Sequence, residues 1–162
     1  MKVALVRVDN RLVHGQILEA WVPFTKASCI AVVNDGVAND FFHETVIRMA
    51  IPRDMEVIVS TVEDFAHAYA HDTENGQQTI ILFASIADAY RAFTLGFRFT
   101  TLNIGNSYAE MCTKHCSASV HLSDEDIHEI EYLLAEGAHV ELRRVPREKS
   151  IDMRTLTSKK PS

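Results

Sequence analysis

Asp9, Arg11 and His14 fall within one short stretch, and Gly15 and Gln16 follow them where a helical pattern begins. Each of these residue types has a role in moving a phosphoryl group. A neutral imidazole is a nucleophile near neutral pH, and the hydrogen bond made by one ring nitrogen decides which nitrogen attacks. Asp9 is a candidate for that orienting partner. Arg11 offers a planar fork that matches phosphate oxygens bidentately. Gly15 and Gln16 supply backbone N–H groups at a helix N-terminus, where unpaired donors and the helix dipole favour an anion. Such chemistry rests on placement and charge stabilisation, and the pattern asks for no metal or cofactor. The same residues also read as a surface or capping histidine beside a solvated arginine, and a lone His-Gly does not choose between the two.

The elements around this stretch set its position. Val3 to Val8 is apolar on nearly every residue until Arg7, which suits a strand covered on both faces. The loop after it lies beyond a strand's carboxyl end, where ligands collect in open parallel sheets. Ile30 to Val33, Val57 to Val59, Ile80 to Phe83 and Leu102 to Ile104 predict four more strands, with Val120–Leu122 and Val140–Leu142 completing the set. Helical spacing covers Gln16 to Trp21, stopped by Pro23, then Phe41 to Ala50 before Pro52, and Val62 to Tyr69 behind a Thr61 cap. Ser85 opens another helix that Gly96 ends. Ser123 with Asp126 makes an acidic capping box for the last one, closed by Gly137. Strand–helix alternation with short links predicts an α/β fold, a single domain with a mainly parallel central sheet and helices on both faces. The domain is expected over 1–157, with Ser158 to Ser162 a disordered tail.

Composition narrows the function classes. The chain has 162 residues and 47% hydrophobic content, enough for one domain with a sizeable core. Sixteen basic against twenty-two acidic side chains leave a charge of −6, which argues against a nucleic-acid binder. No apolar run approaches the ~18 residues of a membrane span, and the opening MKVALVRVDNRLVHG fits no signal-peptide core. Three cysteines give no disulfide framework, so the expected compartment is the cytoplasm. From Arg143 to Ser162 seven basic residues stand against two acidic ones. That stretch reads as a solvated, fraying terminus, or more sharply as a basic patch facing an acidic or phosphorylated partner.

The segment Arg7-Val8-Asp9-Asn10-Arg11-Leu12-Val13-His14-Gly15-Gln16 resembles the phosphorylation-site motif of enzyme IIB of the bacterial phosphotransferase system, mannose/fructose/sorbose family. The likeness continues through Val32-Val33-Asn34-Asp35 with Ala38 and Asp40, Leu82-Phe83, Leu102-Asn103-Ile104-Gly105, Val120, Asp124-Glu125-Asp126 and Arg144-Val145-Pro146. The resemblance implies a phosphohistidine carrier. His14 would take phosphate on Nδ1 from a phosphorylated IIA protein or domain. It would pass the group to a sugar imported through the membrane subunits IIC and IID. Arg11 matches the loop arginine that contacts phosphate, and Asp9 the aspartate that organises the loop. A cytoplasmic protein, peripheral at the inner membrane face through IIC and IID, follows from the same likeness. Two departures stand out. Asn10 replaces a second aspartate common among relatives, and Gly105-Asn106-Ser107-Tyr108 replaces a Gly-Gly-Met run in what is expected to be a loop near the phosphate site. The alternative is a regulatory phosphoprotein of the same origin without sugar transport.

Other constellations compete. Cys112, His115, Cys116 and His121 have residue types that bind zinc, but no second tight pair accompanies Cys112 and Cys116, so unligated side chains are the default reading and a zinc-binding module the lesser one. Cys29 beside an apolar strand is expected to be buried, His67 and His71 to be a solvated pair, and Trp21 to pack in the core. No phosphate-binding glycine loop and no Gly-x-Ser-x-Gly occurs. Exposed apolar helix faces allow a homodimer.

Overall fold

The first strand, β1 (Lys2–Asp9), becomes fully buried over its last four residues because it runs through the middle of a sheet. The computed structural model describes residues 1–71 and 76–157 of the chain, so the expected tail, 158–162, lies outside the described residues. After β1 the chain turns into a helical segment whose wide π-turn, Ile17–Trp21, runs directly into α1 (Val22–Thr25). There follow β2 (Cys29–Val33), α2 (Asp35–Ala38), α3 (Phe41–Ala50), β3 (Glu56–Ser60), α4 (Val62–Tyr69) and β4 (Gln78–Phe83). The second half comprises α5 (Ile86–Thr94), β5 (Thr101–Tyr108), β6 (Lys114–Ser117), β7 (Val120–Leu122), α6 (Asp124–Ala135), β8 (His139–Leu142), β9 (Ile151–Asp152) and α7 (Arg154–Thr157).

The sheet order is β3-β2-β4-β1-β5, with β8 and then β9 continuing from the first half of β5 and β7-β6 from its last two residues. All pairings are parallel except β6 with β7 and β8 with β9. Strand alternation sends side chains to two separate cores. Val6, Val8, Val33, Ile81 and Phe83 meet α4, α5 and α6 through Phe65, Ile86, Phe93, Ile130 and Leu133. On the other face Ile30, Val32, Ile80 and Leu82 meet Leu12, Ile17, Trp21, Val37 and Ile47. The expected parallel α/β sheet with helices on both faces is therefore what the chain adopts.

The caps expected from sequence are in place. Thr61 and Ser85 accept N–H bonds in the first turns of their helices, and Ser123 with Asp126 forms a reciprocal capping box. Gly96 and Gly137 adopt φ of 119° and 94°, a left-handed turn that side chains resist. Pro23 does not stop its helix. It sits in the first turn of α1, where no backbone N–H is needed, and the π-turn ahead of it closes through the Val22 N–H to the Ile17 carbonyl. The C-terminal stretch is not a fraying end over its described part. Met153 is fully buried between β9 and α7. Helix α3 leaves Phe41, Phe42 and Met49 more than three-quarters exposed.

One buried charge works against the fold. Glu129, on α6, is 7% exposed, and its Oε2 has no hydrogen-bond partner. Burial, with Glu125, Asp126 and Asp88 nearby, pushes its carboxyl up to about 7. The folded state therefore holds this proton more tightly than the unfolded chain does. Stability falls as pH rises from about 4.5 to about 7, by about 3 kcal/mol. Glu129→Gln is expected to raise the urea midpoint at pH 8 and to flatten the pH dependence across that window.

Candidate active site

The site begins with an arginine inside a sheet. Alternation along β1 points Arg7 away from Val6 and Val8, toward the face covered by the π-turn, and it has no exposed surface. Its guanidinium donates to Asn103 Oδ1 (2.6 Å) on β5, to the backbone carbonyls of Arg143 (2.9 Å) and Arg144 (3.0 Å), and to Asp9 Oδ2 (3.1 Å). Trp21 lies 5.3 Å from it, ring centroid to Cζ, and donates its indole N–H to the same Arg144 carbonyl at 2.9 Å. Burial lowers the Arg7 pKa from its ordinary value, opposed by the charge and hydrogen bond of Asp9. Gly105 is required beside it. A Cβ at that position would overlap the guanidinium carbon and both terminal nitrogens.

Asp9 gathers the donors. Oδ2 also accepts from His14 Nε2 (2.8 Å) and Arg11 Nη2 (3.2 Å), while Oδ1 accepts from the Arg11 backbone N–H and Nε, both at 3.1 Å. Burial by itself would raise its carboxyl pKa. The hydrogen bonds from His14 and Arg11 and the charge of Arg7 outweigh that and bring it to about 2. The carboxylate is thus ionised and can only accept, so the proton of a neutral His14 ring lies on Nε2. Nδ1 keeps its lone pair and faces the Gln16 N–H at 3.4 Å. The His14 carbonyl meanwhile accepts from Ile17 and Leu18, so the imidazole occupies the helix start, where unpaired N–H groups point outward. Leu12 fixes the turn. Its φ of 56° is left-handed, a costly conformation for leucine, and its side chain is buried in the core beside Ile17 and Trp21.

Asp9, Arg11, His14, Gly15 and Gln16 are therefore brought together at the carboxyl end of the central strand. His14 has 16% of its side chain exposed, Arg11 has 43%, and Gly15 beside them is open. Arg11 Nη2 also bonds Gln16 Oε1 at 3.1 Å. Sequence reasoning gave no role to Arg7, Asn103 or the carbonyls of Arg143 and Arg144. The signal was present in part, since an arginine in an otherwise apolar strand needs buried partners. The run Gly105–Tyr108 is not a loop. It extends β5, with Asn106 paired beside Asp9 and Ser107 and Tyr108 paired to β7. Asn10 and the Gly105–Tyr108 run touch each other. Asn106 donates through Nδ2 to Asn10 Oδ1, and its carbonyl accepts the Asn10 N–H at 3.1 Å. Cys29 is buried, with its thiol pushed up by burial, His67 and His71 are exposed, and Trp21 packs in the core.

A family model for the PTS system sorbose subfamily IIB component matches residues 3–162. The chain belongs to this family. It is 30% identical over 152 residues to the fructose-specific EIIB component of Bacillus subtilis, covering 94% of this chain and 93% of that protein. It is 29% identical to the mannose-specific EIIAB component of Escherichia coli, covering 98% of this chain but 49% of that longer protein. The crystal structure of the IIBSor domain of the sorbose permease from Klebsiella pneumoniae superposes with a TM-score of 0.84 at 30% identity, covering 94% of each chain. As a IIB component the chain is a sugar phosphotransferase of that system.

Three expectations follow from the geometry. Asp9 releases its proton more readily folded than unfolded, so its contribution is complete above about pH 4. That contribution, about 2 kcal/mol, is lost as the pH falls toward about 2. Urea unfolding across that range measures the slope. Asp9→Asn leaves Arg7 without its counter-charge and is expected to cost about 3–5 kcal/mol at pH 7. Gly105→Ala is expected to displace the Arg7 guanidinium and lower the thermal midpoint, whereas alanine at the unobstructed Gly15 leaves it nearly unchanged.

Proposed function

We propose that His14 Nδ1 accepts the phosphoryl group from a phosphohistidine of a IIA protein and passes it to a sugar delivered by the membrane subunits IIC and IID. The observation that carries this reading is the Nε2 contact with Asp9 at 2.8 Å, which leaves Nδ1 as the nucleophilic nitrogen at a helix N-terminus. In transfer the N–P bond of the donor breaks as the bond to Nδ1 forms, roughly in line. The His14 ring keeps its Nε2 proton and becomes positively charged, and the Asp9 carboxylate balances that charge. Onward transfer reverses the change: the Nδ1–P bond breaks as a sugar hydroxyl oxygen takes the phosphoryl group, and the hydroxyl proton leaves to solvent.

Arg11 and the N–H groups of Gly15 and Gln16 spread the charge of the three equatorial oxygens. Arg7 and Arg11 against Asp9 leave the site one positive charge in excess, which suits an incoming phosphoryl dianion. A groove bordered by Gly15, Gln16, Phe24, Pro146 and Arg147 lies beside the loop and suits the docking of a phosphorylated protein. Among the described residues no helix is long and apolar enough to cross a membrane. A cytoplasmic position, peripheral to the membrane through IIC and IID, is part of this proposal.

Incubation with phosphoenolpyruvate, enzyme I, HPr and a family IIA, followed by mass spectrometry, is expected to place acid-labile phosphate on the His14 peptide. His14→Ala should take up none. Arg11→Ala should fold normally and accept phosphate about a hundred- to thousandfold more slowly. Phosphate taken up by a folded His14→Ala protein would falsify the assignment. Phosphate that stays on the protein when membranes holding IIC and IID are offered with sugar would point to the regulatory alternative.

A further inference from the structure

The β6–β7 hairpin carries a second cluster with its own chemistry, outside the Asp9–His14 loop. Cys112 Sγ and one ring nitrogen each of His115 and His121 all lie within 4.8 Å of one another. We propose that these three residues bind a zinc ion, with the fourth position left to water.

The backbone accounts for the juxtaposition. His115 and His121 are direct partners in the antiparallel register of β6 and β7, and their rings stand 4.4 Å apart at 71°. The Thr113 N–H donates to the Leu122 carbonyl at 2.8 Å, which carries the chain before β6 alongside β7 and brings Cys112 to the same place. Tyr108, paired with His121 across β5 and β7, lays its ring 4.6 Å from that imidazole and fixes its plane. Cys116 is not part of the set. Alternation and the bulge between His115 and Ser117 turn it toward the core, where burial pushes its thiol up.

The donor set narrows the choice of ion. One thiolate and two imidazoles suit zinc and exclude the hard, oxygen-seeking magnesium and calcium. Tetrahedral coordination at ordinary Zn–N and Zn–S lengths places ligand atoms about 3.3–3.6 Å apart, within a side-chain adjustment of the observed spacing. Binding displaces the thiol proton, which Cys112 now directs to the Lys114 carbonyl at 3.4 Å, and releases it to solvent. His115 is exposed and the other two are half-buried, so the ion has a path in.

The test uses the full chain stripped with a chelator. Zinc titrated in competition with a chromophoric chelator is expected to bind one ion per chain, and cobalt to give tetrahedral bands with a thiolate charge-transfer band. Cys112→Ser should abolish that band. His115→Ala and His121→Ala should each weaken zinc binding about tenfold or more, while Cys116→Ser binds as the parent does. A measurement without variants accompanies these: zinc should slow alkylation of Cys112 and leave that of Cys116 unchanged. Absence of zinc binding by the parent chain, undiminished binding by Cys112→Ser, or unprotected Cys112 in the presence of zinc would each overturn the assignment.

Discussion

A carboxylate with no exposed surface has to have its charge answered by the protein around it, and the architecture near Asp9 is the answer. Its two oxygens accept from Arg7, from the Arg11 backbone and side chain, and from His14. The same bonds that make burial tolerable fix the imidazole's tautomer, hold the loop closed and place an arginine at the mouth of the site. Stability and chemistry therefore share one group, and a change there disturbs both.

The demand passes from Asp9 to Arg7 and from Arg7 to the rest of the sheet. A guanidinium buried between sheet and helix needs acceptors in its plane, and for its two terminal nitrogens Asn103 and two carbonyls beyond β8 supply them, while Nε stays without a partner among the described residues. Room for it comes from Gly105, and Trp21 closes the remaining side. None of these contacts is local in sequence. They depend on β5 lying against β1, which is the pairing that the crossover from β4 to β5 produces.

What sequence made legible follows that division between local and distant. Strand runs, caps at Thr61, Ser85 and Ser123, and the closing turns at Gly96 and Gly137 rest on neighbours a few residues away, and the pattern revealed them. The juxtaposition of Asp9, Arg11, His14, Gly15 and Gln16 was readable because one tight turn holds all five. The partners of Arg7 were not readable, since they arrive from β5 and from beyond β8. Glycine and two small polar residues look like a loop in Gly105–Tyr108, yet close packing against a buried arginine and pairing with β7 keep that run extended. Pro23 misled for a related reason, because a π-turn ahead of it changes where the helical count begins. Of the four zinc-type residues near residue 115, spacing alone offered no basis for separating Cys116 from the others, whereas strand alternation does.

The carbonyls that accept from the terminal nitrogens of Arg7 lie 136 and 137 positions after it in the chain. During translation β1 emerges long before the backbone that completes its hydrogen bonding, so the central strand cannot settle into place while the chain is still short. A nascent or prematurely ended polypeptide lacking that late segment would carry the histidine loop but not its foundation. Long-range closure of this kind slows folding, and it also makes competence of the loop a report that nearly the whole domain has assembled.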